Sequence, residues 1–139
     1  EENKLHLCHW VTVDDLSHLK RGGRISAVAA AVGSMLDLKP IITETKEGKL
    51  VSTVKVRGRK QALRVLVDKA VENIDDPANA DVIILHADAP EDAARVESKL
   101  REKVPGLEKI DTYYIGPVIG AHCGPGTVAV CFFGKERPC

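Results

Sequence analysis

The sequence is poor in the features that several functional classes need. Aromatic residues make up only 4% of it, and Lys plus Arg equal Asp plus Glu at 20 each, so neither stacking surfaces nor excess positive charge favours a nucleic acid partner. No apolar run approaches the ~20 residues that cross a bilayer, and no charged start followed by an apolar stretch marks a signal peptide. We therefore expect a cytoplasmic protein that does not insert into membranes.

Paired metal-ligand or redox motifs are also missing. The sequence contains no C-x-x-C pair, so we expect reduced thiols rather than a redox dithiol or an all-cysteine zinc site. Alternation along a strand would put Cys8 and His9 on opposite faces, which argues against a metal site there and leaves no metal indicated. The four cysteines are Cys8, Cys123, Cys131 and Cys139.

The composition itself is that of an ordinary folded domain. With 44% hydrophobic and 29% charged residues, the 139 residues can bury one core, so we expect a single α/β domain over residues 1–139. The chain opens at Glu1 without an initiator Met, as a cut between two domains would leave it. We expect that an N-terminal domain is absent from this chain.

Hydrophobic periodicity predicts a mixed β-sheet covered by helices. Pro40 is expected to end an Ala-rich helix, and the apolar run from Val82 to Leu85 is typical of a strand covered on both faces. The predicted strands are 7–13, 41–45, 50–56, 81–86, 110–115 and 127–133, with 41–45 and 50–56 forming an antiparallel hairpin. The predicted helices are 16–20, 27–36, 59–74 and 90–104.

The most distinctive segment is 115–126, where four glycines and two prolines flank His122. Such a density of backbone specialists predicts a turn and a short helical piece that approaches something closely. His122 could fix an anionic head group, or it could be satisfied by turn carbonyls. Cys123 could be a nucleophile, although a small buried residue is the simpler interpretation.

Two further segments carry clustered charge. Arg21 and Arg24 bracket a Gly-Gly turn before a predicted helix, which could form half of an anion site, or Asp14 or Asp15 could pair with one of these arginines to pin the loop. Cations at 55–60 stand at a strand-to-helix junction, where the helix dipole disfavours them unless they serve an acidic partner. This basic junction (residues 55–60) is either a docking surface or a solvated turn.

A further short motif, His86-Ala87-Asp88, ends a predicted strand. Sites in open α/β sheets often lie at such a position, but capping of the following turn is the simpler role for Asp88.

Taken together, the segments resemble the DegV family, and the match runs in order across nearly the whole chain. The resemblance implies a long-chain fatty acid in a tunnel between two α/β domains, of which this chain resembles the second, and a partner kinase that phosphorylates the carboxylate. The matching segments are Val13-Asp14-Asp15-Leu16, Leu19-Lys20-Arg21-Gly22-Gly23-Arg24-Ile25-Ser26, Lys55-Val56-Arg57-Gly58-Arg59-Lys60, His86-Ala87-Asp88-Ala89 and the segment from Ile115 through Gly126.

The same resemblance implies a set of binding residues and no catalysis by this chain. His122 would contact the head group, the loop with Arg24 would brace it, and the Ala-rich helix would line the tunnel. The implied lipid-binding residues are His122, Arg24, Ala27, Ala30, Ala31 and Gly120. Charge alone suggests Arg57, Arg59 and Lys60 as the surface that meets the fatty acid kinase. No cofactor is implied, and the isolated domain could form a homodimer through the face of residues 27–36.

Two other functions remain open from the sequence. One is a small hydrolase or transferase that uses Cys123 or His122 as nucleophile or base, with the arginines as anion clamps. The other is a regulatory domain that binds a phosphorylated metabolite through Arg21, Arg24 and the basic junction.

Overall fold

The computed structural model describes residues 2–24 and 37–137, which build one mixed sheet with helices packed against it. A 3-10 turn at Lys4–His6 precedes the first strand. The strands are β1 Leu7–Thr12, β2 Leu38–Glu44, β3 Leu50–Arg57, β4 Asp81–His86, β5 Lys109–Tyr114 and β6 Val128–Phe133. The helices are α1 Leu16–Arg21, α2 Arg59–Asn73, α3 Pro90–Lys103 and α4 Pro117–Cys123. None of these helices is both long and apolar enough to cross a bilayer.

The strand order is β3-β2-β1-β6-β4-β5, which confirms the prediction of a mixed sheet. β4 and β5 run parallel, and the other neighbours are antiparallel. The predicted hairpin is confirmed as β2 and β3, whose turn is closed by the Thr45 N–H donating to the Lys49 carbonyl at 2.8 Å. β5 lies at one edge of the sheet. It runs parallel to its neighbour β4 because α3 connects the two strands as a crossover.

One side of the sheet, which we call the covered face, packs against α2 and α3. Trp10, Val130 and Ile84 stand side by side on β1, β6 and β4 and point into this core. From the helices, Leu66 and Leu100 enter the same core and are fully buried. The apolar stripes that predicted both helices therefore form the main hydrophobic core.

The opposite side, which we call the open face, keeps large apolar side chains in solvent. Ile83 on β4 is 39% exposed, and Tyr113 on β5 and Phe133 on β6 are each 55% exposed. The prediction that the run from Val82 to Leu85 is covered on both faces is therefore wrong, since only alternate residues of β4 are buried. The pattern shows that both faces of β4 are apolar, and an apolar face left in solvent is typical of a binding surface.

A smaller core covers one end of the open face. There α1 and α4 pack beside the sheet, and Val13, Leu19, Ile42 and Cys123 form a buried cluster. The predicted Ala-rich helix 27–36, with the dimer face expected on it, lies outside the described residues.

Pro40, which was expected to end the predicted helix 27–36, lies within β2 opposite Lys55. The end of that predicted helix lies outside the described residues.

The segments that precede β1 and follow β6 lie side by side. The N–H of Gly134 donates to the carbonyl of His6 at 2.9 Å, and that of Arg137 donates to Leu5 at 2.8 Å. The tail after β6 therefore runs beside the first residues of the chain.

Candidate functional site

The segment 115–126 forms a short helix set between two glycines, as its composition predicts. α4 starts after Gly116 with Pro117 in its first turn, and it ends at Gly124, whose φ of 79° favours glycine. The last turn presents His122 and Cys123, which are directed to different surroundings.

His122 packs directly on the backbone of Gly22, at the end of α1. A Cβ atom placed on Gly22 would lie 2.5 Å from Nδ1 of His122 and 3.4 Å from both Cγ and Cε1. Within residues 2–24 and 37–137, the His122 ring forms no hydrogen bond, so no turn carbonyl of this part satisfies it. The structure therefore brings the histidine and the Gly-Gly turn together, and it leaves the ring with hydrogen-bonding capacity.

A second histidine makes the reciprocal contact. His18 of α1 lies on Gly124, where an added Cβ would overlap the Cδ2 and Cγ atoms of its ring. Each of the two helices thus lays a histidine on the glycine that ends the other helix. Nη2 of Arg21 lies 3.3 Å from Nδ1 of His18. These contacts fix how α1 and α4 lie relative to each other.

The loop with Arg24 folds back on α1. The guanidinium of Arg24 donates to the carbonyl of Gly22 at 2.7 Å, and its backbone N–H donates to Leu19 at 2.8 Å. Arg24 therefore braces the turn on which His122 rests, and its expected role beside a lipid head group stays a prediction.

The acidic residues before α1 do not pair with the arginines of this loop, contrary to one alternative. Asp14 pairs with Lys39 on β2 at 3.1 Å. Asp15 caps α1 by accepting from the backbone N–H of Ser17 at 2.8 Å. Hydrogen bonds from the side chain and backbone of Ser17 hold the pKa of the Asp15 carboxyl below its usual range.

Cys123 occupies the smaller core rather than the surface. It is 7% exposed, and its thiol faces the carbonyl of Gly120 at 4.0 Å. The prediction of a small buried residue is confirmed. A nucleophile needs access and a base within hydrogen-bonding reach, and Cys123 has neither within the described part of the chain.

Exposed apolar side chains surround the junction between β5 and α4. Tyr114 is 72% exposed, Val118 73% and Ile119 62%, and Tyr113 adds the edge of the open face. Gly120 lies one turn before Gly124, and a Cβ there would meet nothing within 4 Å. The helix that carries His122 is thus flanked by an apolar surface with room beside it. The other residues implied for lipid binding, Ala27, Ala30 and Ala31, lie outside the described residues.

The cations of the basic junction differ in their surroundings: Arg59 is bonded within the protein, whereas others are exposed to solvent. Arg59 forms an ion pair with Asp92 of α3 at 2.8 Å and also donates to the carbonyl of Gly126, so it ties α2 to α3 and to the loop after α4. Its charge serves an acidic partner inside the protein, which offsets its unfavourable place at a helix start. Arg57 and Lys60 are exposed.

The turn after β4 is held by His86, a role that the sequence did not predict. His86 is 4% exposed, and its Nδ1 accepts from the backbone N–H of Ala89 at 3.2 Å. Its ring packs on Tyr114 with the centroids 4.5 Å apart. The prediction that Asp88 caps this turn is wrong, since no side chain of the described residues, that of Asp88 included, forms a capping hydrogen bond at the start of α3. The sequence signal that could have indicated this role is a histidine three residues before Ala89, the residue that precedes α3.

Known proteins resemble this chain over nearly its whole length. A family model described as "Uncharacterised protein, DegV family" matches residues 1–135. A DegV domain-containing protein of Clostridium perfringens is 47% identical over 137 residues, which are 99% of this chain and 47% of that protein. The chain spans about half the length of the curated relatives it matches.

Solved structures agree in fold. A fatty acid binding DegV family protein from Streptococcus agalactiae superposes with a TM-score of 0.83 at 31% identity, covering 97% of this chain and 47% of the other. DegV, a fatty acid binding protein from Bacillus subtilis, gives a TM-score of 0.69 at 34% identity, covering 96% and 47%. With the family model, the sequence relatives and the fold in agreement, the chain belongs to the DegV family.

Proposed function

We propose that this chain forms one side of a fatty-acid-binding site and that His122 donates a hydrogen bond to the lipid carboxylate. The observation that carries the proposal is the His122 ring, which rests on Gly22 without a hydrogen bond to any described residue, beside exposed apolar side chains. A carboxylate needs a donor, and an acyl chain needs apolar surface. The two similar proteins from Streptococcus agalactiae and Bacillus subtilis are fatty acid binding proteins, which supports this assignment.

The open face supplies the apolar part of the proposed site. Because this chain covers about half of its relatives' length, we propose that a second half closes the site over Ile83, Tyr113 and Ile119. An acyl chain bound on one open surface would stay largely in contact with water, whereas ligand sites normally bury most of the ligand. The isolated chain should therefore bind fatty acid weakly. Free thiols at Cys8 and Cys123 suit a reducing compartment and support a cytoplasmic location.

We further propose that the bound lipid is presented to a fatty acid kinase and that the exposed cations of the basic junction meet this partner. Arg57 and Lys60 are exposed and can approach an acidic surface, whereas Arg59 is held by Asp92. Charges at the rim of an interface act mainly on association rate and salt dependence. Catalysis then belongs to the kinase, since Cys123 is buried and no residue of the described part of the chain serves it as a base.

The test compares His122→Ala with wild type in a protein that carries both halves, using a fatty acid and the alcohol of the same chain length. Loss of one hydrogen bond to a desolvated carboxylate costs roughly 1.5–3 kcal/mol, so affinity for the acid should fall by about one to two orders of magnitude. The alcohol should lose much less, because it carries no charge.

His6→Ala is a matched control, because His6 is an exposed histidine just before β1. Helix α1, which His122 contacts, follows the other end of that strand. His6→Ala should bind both ligands as wild type does, and thermal unfolding of both variants would exclude damage to the fold. Equal losses for acid and alcohol in His122→Ala, or no loss for the acid, would show that His122 is a structural histidine.

A further inference from the structure

We propose that Gly22 is a positioning residue for His122: the missing side chain of Gly22 leaves the space that the imidazole fills and so selects its orientation and tautomer. This inference rests on the proposed role of His122 in binding a carboxylate, and it names the residue that makes that role possible. The two residues are 100 positions apart in the sequence, so only the fold brings them together.

The backbone of the Gly-Gly turn differs in conformation between its two glycines. Gly22 has φ −78° and ψ 0°, a conformation that any L-residue adopts, whereas Gly23 has φ 71°. The turn therefore needs glycine at position 23 for its conformation but not at position 22. A different requirement must hold at Gly22, and the three atoms nearest to its missing Cβ all belong to the ring of His122.

The imidazole ring of His122 has a defined direction relative to Gly22. The Cγ and Cε1 atoms that flank Nδ1 are both 3.4 Å from the Cβ position of Gly22, while Nδ1 itself is 2.5 Å away. Nδ1 therefore points head-on at Gly22, and Nε2, on the other side of Cε1, points away from it. Aliphatic hydrogens of a glycine cannot accept a hydrogen bond, so a proton on Nδ1 would have no partner there.

A neutral imidazole carries its proton on only one of its two ring nitrogens. Contact with Gly22 disfavours a proton on Nδ1, so the neutral ring carries it on Nε2. His122 then presents an N–H donor away from Gly22, which is the group that a carboxylate accepts from. The tautomer opposite to this one would present a lone pair to the carboxylate and repel it.

The helix arrangement keeps this contact in place. His18 lies on Gly124 as His122 lies on Gly22, and the Arg24 guanidinium holds the Gly22 carbonyl at 2.7 Å. Neither α1 nor α4 can slide without disturbing both contacts. An alanine at position 22 would fit the backbone but displace the ring, since the partly exposed His122 side chain can swing away more easily than two packed helices can separate.

The test needs no ligand in its first part. Nitrogen-15 NMR of the wild-type chain, with the pH high enough for a neutral ring, should show the His122 proton on Nε2. In Gly22→Ala the His122 signals should shift and report a mixture of tautomers, with the melting temperature unchanged or slightly higher because alanine restricts the unfolded chain. A wild-type His122 protonated on Nδ1, or unchanged ring signals in Gly22→Ala, would overturn the proposal.

Gly23→Ala is the matched control. Its Cβ would meet nothing within 4 Å, but its φ is unfavourable for alanine, so the melting temperature should fall while the His122 signals stay as in wild type. Disturbance of His122 by both substitutions alike would mean that the loop fold, and not the Gly22 contact, places the ring.

The second part links the position of the ring to binding. In a protein with both halves, Gly22→Ala should weaken fatty acid binding by about ten- to a hundredfold and the matching alcohol much less, as expected for His122→Ala. Failure of the proposed function is distinguishable: His122→Ala would then leave acid binding unchanged although the NMR result holds. Loss of acid binding in His122→Ala but not in Gly22→Ala would overturn the positioning role alone.

Discussion

The two faces of the sheet use the same kinds of residue for different ends. On the covered face Ile84 is fully buried under α2 and α3, whereas its neighbour Ile83 on the open face is 39% exposed. Apolar surface removed from water stabilises the fold by about 25 cal/mol per Å², so the covered face supplies most of that stabilisation within the described part of the chain. The open face keeps its apolar surface available, and this is where His122 and the exposed side chains of α4 lie. Stability and proposed function are thus separated by the sheet itself.

One truncation on each face should reveal the largest difference in stability between the two faces. Leu66→Ala removes a fully buried side chain of α2 and should lower the free energy of unfolding by about 3 kcal/mol. Ile83→Ala removes a similar volume from a half-exposed position and should cost less than about 1 kcal/mol. Urea unfolding of both variants measures the difference. Equal costs would mean that the open face is covered in solution.

Cys131 on β6 belongs to the open face but, unlike Ile83 and Phe133, is largely buried, so its titration reports on how dry that position is. Burial raises the pKa of the Cys131 thiol from 9.0 to about 11. Because the pKa of Cys131 is raised in the folded state, the protonated thiol contributes its full stabilisation below about pH 9. This stabilisation is lost as the pH rises towards 11. The free energy of unfolding should fall by roughly 2–3 kcal/mol across this window.

Cys131→Ala should remove most of this loss when urea unfolding is followed at pH 8 and pH 10.5. Burial also raises the pKa of Cys8, so a smaller decline should remain. An identical pH dependence in the variant and in wild type would show that water reaches Cys131 and that the middle of the open face is not dry.

The smallest effects separate two cations of the basic junction. Arg59→Ala removes charged hydrogen bonds to Asp92 and Gly126 and should cost roughly 2 kcal/mol, while Arg57→Ala should change stability by less than about 0.5 kcal/mol. Association with the proposed kinase should show the reverse order, with Arg57→Ala slowing it more at low salt. Thermal unfolding and association kinetics at two salt concentrations measure both. Wild-type association kinetics in Arg57→Ala at low salt would show that Arg57 is not part of the docking surface.

Local pattern was sufficient to predict the long amphipathic helices and the hairpin. The apolar stripe predicts residues 59–74, and α2 is Arg59–Asn73. Pro40 shows the limit, because the predicted strand starts at residue 41, whereas β2 starts at Leu38 and includes the proline. The family and its fold were predicted from motifs. The prediction that His122 binds lipid rests on the resemblance and stays a prediction.

Contacts between distant residues could not be predicted in the same way. No spacing rule connects Gly22 with His122, or Arg59 with Asp92, since each pair meets only after the sheet and its helices have assembled. The same holds for the cover of β4, where the sequence shows that both faces are apolar but not what lies against them. Side-chain chemistry can be inferred from sequence, but the partner of a side chain is a property of the fold.

The pairing of β1 with β6 limits the order in which the described strands can assemble. β1 pairs with β6 over a register from Leu7 with Phe133 to Thr12 with Val128, in the middle of the sheet. Because β6 follows the other described strands in sequence, the centre of the sheet can close only after β6 has been synthesised. Such pairing of distant segments carries a large loop-closure entropy and is associated with slow folding. Until then the apolar strands stay exposed, and a nascent chain of this kind depends on protection from association with others.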